Sequence, residues 1–186
     1  MIEGAVLQRF RGVIYVAVFA GLTLAAMALL VVPAVDTGFT QPFTHALVVI
    51  CAGVMNLFGA GVVANGVVLS FARGSGAVLV SSGCNAVEVC ILFAAAVAPF
   101  PAPVAARAAG VLVGVAAIQG LNLLRIISLL LLSRFAQGAF DFFHLFVWDA
   151  FIMLDGIVLF LAWNRWQSRR WPQPSLRPAA ETGTQT

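Results

Sequence analysis

The hexapeptide Gly83-Cys84-Asn85-Ala86-Val87-Glu88 is a small, polar, ionisable island at the threshold of an apolar segment, residues 89–100. A cysteine at the mouth of a membrane span invites chemistry. Two later islands share this setting: Asn122-Leu123-Leu124-Arg125 lies near one end of a long apolar run, and His144 stands at the start of another. If the three segments pack side by side in alternating directions, Cys84, Arg125 and His144 meet at a single membrane face.

Composition sets the solvent. The 186-residue chain is 62% hydrophobic and 9% charged, with a mean hydropathy of +1.03, whereas soluble domains are about 45–50% apolar and about 25% charged. The fold class is therefore an all-α polytopic membrane protein, with the lipid bilayer as its surroundings. The net charge of +3 comes from ten arginines and no lysine, clustered near segment ends and in the tail. That pattern suits phosphate headgroups, and the lack of a basic stripe interleaved with aromatics excludes nucleic acid as a partner. Cys51, Cys84 and Cys90 form no CxxC and no metal-like spacing, so neither a metal nor another cofactor is expected, and an odd count leaves at least one thiol free.

Residues 13–32 are twenty without a charge, enough to span a hydrocarbon core of about 30 Å at roughly 1.5 Å per residue. A cleaved signal peptide would carry a shorter apolar core and a small-residue cleavage site, so an uncleaved span is expected. Residues 33–42 read as a loop by their turn residues, and 46–63 as a second span. Residues 67–72 and 77–80 are two β-prone runs around Arg73-Gly74-Ser75-Gly76, the pattern of a hairpin. Open sheet edges do not face lipid, so the hairpin belongs outside the hydrocarbon, leading directly into Cys84.

A helix from Ser82 to Pro99 would reach about 25 Å at ~1.5 Å per residue. Residues 104–132 form the longest helix, with Gly110 and Gly114 in a GxxxG spacing that admits a neighbouring backbone. A loop is expected over 133–141 and a last span over 142–163. The chain divides into one membrane-embedded domain, 1–163, of about five spans, and a polar, Pro-rich tail, 164–186, expected to be disordered.

Arg165, Arg169 and Arg170 after the last span place the C-terminus in the cytoplasm by the positive-inside rule, and Arg107 agrees at the other cytoplasmic turn. The ends carrying Cys84, Arg125 and His144 then face outward. Five alternating spans would put Arg9 and Arg11 outside, in conflict with the same rule unless they lie on headgroups or the 46–63 segment is re-entrant.

An arginine inside a membrane helix costs roughly 2.5–3.5 kcal/mol on insertion scales, so Arg125 needs a snorkelling route or a partner and a task. Asn122, three residues earlier, could fix the guanidinium or donate to a substrate carbonyl. His144 heads a helical stripe with Trp148, Phe151 and Asp155, which would leave Asp149 on another face. Glu88 shares a face with Cys84 and could pair with Arg125, either for function or as a structural membrane ion pair. Cys51 and Cys90 read as small buried hydrophobes. Cys84 differs because it follows Gly83 at an expected helix N-terminus, where the dipole and an arginine suit an anionic sulfur. With a histidine to move protons and an arginine to hold an oxyanion, these residues form an acyl-transfer set.

In this order and spacing, Gly83-Cys84 after a hairpin, Asn122-Leu123-Leu124-Arg125 near the outer end of the next span, and His144 before the last one resemble the Cys, Asn-x-x-Arg and His motifs of the exosortase/archaeosortase family. The resemblance covers about residues 53–163 and is most like the short exosortase H type. Asn85-Ala86 stands where many members carry Ser-Gly. The resemblance implies a cysteine transpeptidase in the bacterial cytoplasmic (inner) membrane, its active site facing outward. It would cleave exported proteins at a C-terminal sorting signal, made of a short motif, a transmembrane helix and a basic tail, and pass them through a thioester to an amine acceptor. Cys84 would be the nucleophile, Arg125 the oxyanion partner and His144 the proton donor, supported by Asn85, Glu88, Asn122 and Asp155. Two rival readings use the same features: a non-enzymatic assembly or transport subunit with structural charge pairs, and an intramembrane cysteine protease that only hydrolyses.

Overall fold

A computed structural model describes residues 2–170 of the chain. Helix α1 (Ile2–Leu30) leads into a second helical segment, α2 (Pro33–Leu57), which contains a wide π turn over Asp36–Thr40. Three short antiparallel strands follow in the order β1 (Val62–Asn65), β2 (Val68–Phe71), β3 (Ala77–Leu79). Helices α3 (Val87–Val97), α4 (Val104–Phe135) and α5 (Gln137–Arg170) complete the fold, the last with a π turn at Phe143–Val147. By length and composition α2, α4, α5 and the Gly12–Leu30 part of α1 can each cross a membrane, and α3 is a shorter apolar helix. The chain is thus a mostly helical, polytopic integral membrane protein with one small sheet.

The expected hairpin is β2–β3, with Leu69 opposite Val78. Several boundaries differ from the sequence reading, each for a local reason. The segment read as a span over 46–63 ends at Leu57, and Val62 and Val63 belong to β1. Asn56 makes the switch: its Nδ2 donates to Val62 O at 2.7 Å and its Oδ1 accepts from Val62 N at 2.8 Å, while Gly59 and Gly61 turn the chain at φ of 73° and 62°. The loop expected over 33–42 is helical because Pro33 falls in the first turn, where the missing N–H costs nothing, and Pro42 stands just after the π turn over Asp36–Thr40, where the regular hydrogen-bond ladder is already interrupted.

Helix α3 starts at Val87 rather than Ser82, because Gly83 (φ 85°) and Ala86 (φ 56°) adopt left-handed conformations that no right-handed helix includes. The loop expected over 133–141 shrinks to Ala136, at φ −148° and ψ 56°, between the end of α4 and the start of α5. The tail expected from Asn164 begins as helix through Arg170, and its remainder lies outside the described residues.

Helix α3 sits centrally, packed against α1, α4 and α5. Direction follows from named contacts. Tyr15 of α1 donates to Ala96 O at 2.8 Å and lies edge-on to Phe100. Trp163 of α5 donates to Ala106 O at the start of α4 and also contacts Phe100. The first half of α1, the end of α3, the start of α4 and the end of α5 therefore share one end of the bundle, and Cys84, Arg125 and Asp149 share the other.

The buried face of α2, Thr44, Leu47, Val48, Cys51, Ala52 and Met55, follows the three-and-four spacing of an amphipathic helix. It packs against Ile126, Leu129 and Leu130 of α4 and against the sheet's Val62, Leu69 and Val78. With 32 residues, α4 is about 48 Å long at ~1.5 Å per residue, longer than a bilayer core is thick. Its last third rises beyond Arg125, and α2 and the sheet surround it.

The GxxxG pair serves contacts within the chain. A methyl group on Gly110 would collide with the Trp163 indole, and one on Gly114 with the Phe93 ring. Overpacking of this kind costs about 1–3 kcal/mol. Gly110→Ala and Gly114→Ala are therefore expected to lower the thermal midpoint in detergent, whereas Gly120→Ala, with open space around it, should leave it level or raise it through better helix propensity.

Candidate active site

The turn before α3 carries Cys84 between two left-handed residues, Gly83 and Ala86. A non-glycine residue in this region costs roughly 1–2 kcal/mol, so Ala86 is held there by its surroundings. Asn85, fully buried, supplies the hold. Its Nδ2 donates to Thr44 Oγ1 at 3.0 Å, its Oδ1 accepts from Val87 N at 3.1 Å, and its carbonyl accepts from Gln119 Nε2 at 3.0 Å. Thr44 in turn donates to Thr40 O. One residue thus ties the turn to α2 and to the first residue of α3 through its side chain, and to α4 through its backbone carbonyl. The Cys84 N–H closes the turn on Ser81 O at 2.9 Å.

Glu88 braces the same turn from inside α3, accepting the Gly83 N–H at 3.1 Å. It does not pair with Arg125. The partner is Asp149, whose Oδ1 accepts from Arg125 Nη2 at 2.7 Å, and the same nitrogen lies 3.8 Å from Cys84 Sγ. Arg125 is 1% exposed, so it does not snorkel, and its Nε and Nη1 have no partner among the described residues. The cysteine and arginine singled out in the sequence do meet. Because Cys84 precedes α3 by three residues, Arg125 and not a helix terminus is its electropositive neighbour.

Asn122 is fully buried one turn below Arg125, but it does not fix the guanidinium. Its Nδ2 donates to Gln119 Oε1 at 3.4 Å, leaving Oδ1 buried and unpartnered among the described residues. Gln119 also approaches Cys90 Sγ at 3.4 Å.

His144 lies in the π turn of α5, its ring stacked on Phe140 at 5.6 Å and its Nδ1 buried without a partner among the described residues. Phe140, Trp148 and Cys84 all pack against the outer core of α2, α4 and the sheet. Among the described residues no hydrogen bond joins His144 to Cys84. The wheel that put Asp149 on another face assumed a regular helix. The extra residue of a π turn shifts everything after it by about a quarter-turn or more, and Asp149 comes round to Arg125. Asp155, half-buried deeper in α5, has no hydrogen bond or ion pair with Cys84, Arg125 or His144 among the described residues.

Thr44, Gln119 and Asp149 were missed as site residues. For Gln119 a signal existed: Gln119, Asn122 and Arg125 repeat every three residues on an otherwise apolar helix. For Thr44 and Asp149 none did, since both act across helices.

Comparison with known proteins accords with this arrangement. The family model described as transmembrane exosortase (Exosortase_EpsH) matches residues 10–163, and the chain belongs to that family. No curated protein and no solved structure matches it.

Breaking the Asn85 clamp leaves buried groups of Thr44 and Val87 without their partner, at about 1–3 kcal/mol. Asn85→Ala is therefore expected to lower the thermal midpoint and to speed alkylation of Cys84 by a small maleimide, while Asn65→Ala, on an exposed strand end, changes neither.

Proposed function

We propose that this chain is a membrane cysteine transpeptidase, and the observation that carries the reading is the buried Arg125 guanidinium beside Cys84 Sγ with two donors left over. Cys84 Sγ attacks the scissile carbonyl of an exported protein's C-terminal sorting signal as its proton passes to the His144 imidazole. The carbonyl oxygen gains negative charge against Arg125 Nε and Nη1. Collapse of the adduct breaks the C–N bond, His144 returns the proton to the leaving amine, and a thioester remains on Cys84. A second amine then displaces the sulfur and forms the new amide. Asp149 holds Arg125, Asn85 and Glu88 hold the turn, and the buried Asn122 Oδ1 offers an acceptor to a substrate N–H. Asp155 is kept as a supporting group below them. Membership of the exosortase family and the resemblance to the short exosortase H type support a substrate with a short motif of the Ile-Pro-Thr-Leu kind, a transmembrane helix and a basic tail.

The packing also supports an orientation. Four crossings by α1, α3, α4 and α5, with α2 and the sheet on the outer side, put the positions of Arg9, Arg11, Arg107, Arg165, Arg169 and Arg170 at one end. This is the re-entrant solution to the charge conflict, and it satisfies the positive-inside rule at both termini. The reading places the protein in the cytoplasmic membrane with Cys84 facing outward. A membrane-impermeant maleimide is expected to label Cys84 in intact cells, measured against Cys84→Ala, and reporters fused to either terminus should both register as cytoplasmic. An external N-terminal reporter would reject the four-crossing arrangement.

Cys84→Ala and Cys84→Ser should abolish processing of a co-expressed substrate, while Cys51→Ala and Cys90→Ala retain it. A lysine point charge cannot reproduce the planar fork of arginine, and loss of one oxyanion donor costs about 10²–10³ in rate. Arg125→Lys is therefore expected to accumulate in membranes yet cleave about a hundredfold or more slowly. Near-normal cleavage by that variant would remove Arg125 from the chemistry. Product mass separates ligation from hydrolysis, since only a ligated product carries its acceptor.

A further inference from the structure

The turn that carries Cys84 has two flanks. Asn85 binds Gln119 of α4 on one and Thr44 of α2 on the other. The α4 flank is where the cationic Arg125 lies, a group with no acceptor, and Asp149 of α5 faces it through Oδ1, so that side does not favour a second cation. On the α2 flank a cleft of about 290 Å³ opens, with Asp36, Thr40, Gln41, Thr44, Ser81 and Ser82 on its polar walls and Val67, Leu79 and Val80 on its apolar side. The cavities beside Gly110 and Gly156, by contrast, are walled almost wholly by apolar side chains.

The chemistry of the α2 cleft is that of an acceptor-rich cation seat. Asp36 is half-buried, and its Oδ2 accepts from Gln41 Nε2 at 2.8 Å, which leaves Oδ1 without a bond among the described residues. Thr40 is 6% exposed, and its hydroxyl has no partner among them. The π turn sets these two residues four apart along one helical face. Ser81 joins the cleft directly to the nucleophile turn, because its carbonyl accepts the Cys84 N–H. A primary ammonium carries three donors and no acceptor, the complement of the Asp36 carboxylate and the neighbouring Thr40 hydroxyl.

We propose that this cleft seats the amine that resolves the thioester, a primary ammonium carried either by a lipid headgroup or by a small or peptide amine. The inference rests on the transpeptidase reading. The bound ammonium loses one proton to solvent through the cleft. Its nitrogen lone pair then attacks the thioester carbonyl, the C–N bond forms as the C–S bond breaks, and the second proton passes to the leaving sulfur. The products are the ligated amide and the Cys84 thiol.

The test compares the ratio of ligated to hydrolysed product, by mass, for the full chain and a co-expressed substrate bearing a sorting signal. Asp36→Asn is expected to lower that ratio about ten- to a hundredfold, the worth of a charge-assisted hydrogen bond, and to let acyl-enzyme build up on Cys84. Asp36→Glu, which keeps the charge, should preserve much of the ratio, and Asp141→Asn, an exposed carboxylate outside the cleft, should leave it where it was. Reconstitution in vesicles of ethanolamine-headgroup phospholipid, against phosphatidylglycerol vesicles supplied with glycine methyl ester, identifies the amine's source from the mass added. An unchanged ratio in Asp36→Asn, with Asp36→Glu also unchanged, would overturn the acceptor seat. Processing that survives Cys84→Ala would instead overturn the transpeptidase reading beneath it.

Discussion

A bilayer cannot hydrogen-bond a bare backbone, and the turn from Ser81 to Ala86 brings irregular backbone to the mouth of a helix bundle. Such a segment persists only where protein satisfies it. Asn85 meets this constraint with three hydrogen bonds to three separate elements. Its own burial would be costly without them, so the side chain and the turn stabilise each other. Everything else in the site is positioned from this point: α2 is drawn in through Thr44, α4 through Gln119, and Cys84 is left between them facing Arg125.

The hydrophobic packing is divided by the same polar layer. The outer core joins α2, the sheet and the last third of α4. The inner core, built from Val89, Phe93, Val97, Ile118, Ile152 and Trp163, joins α3, α4 and α5. Helix α4 is long enough to belong to both, and Gln119, Asn122 and Arg125 occupy its passage from one to the other. A short α3 follows from this division. It can be 11 residues long because α1, α4 and α5 shield its polar entrance from lipid, so Cys84 lies recessed between longer neighbours.

Much of this was legible in the sequence because lipid makes polar residues conspicuous. Cys84, Asn122, Arg125 and His144 stand out from apolar runs, and their order and spacing carried the family resemblance. What stayed hidden depends on distance through space or on helix phase. Glu88 and Asp149 were both reasonable carboxylates for Arg125, and only packing between α4 and α5 selects Asp149. The π turn at Phe143–Val147 leaves no hydropathy signature, yet it decides which face Asp149 and Asp155 occupy. The 33–42 stretch has the composition of a loop, and two prolines and a glycine concealed a helix because Pro33 stands in its first turn and Pro42 just after its π turn. Asn56 likewise looked like an interruption within a span, when its side chain ends that helix and starts a strand.

The Arg125–Asp149 pair is unequal, and the inequality bears on what it can do. Asp149 is 58% exposed, whereas Arg125 is 1% exposed. The field of an exposed carboxylate is weakened by a high-dielectric surround more than that of a buried one, so Asp149 offsets only part of the guanidinium's charge beside Cys84. Its Nε and Nη1 are buried without a partner among the described residues. They lie beside Cys84, on whose turn Ala86 is held in a left-handed conformation. On the proposed reading, these spare nitrogens are preorganised for charge that develops only during the reaction.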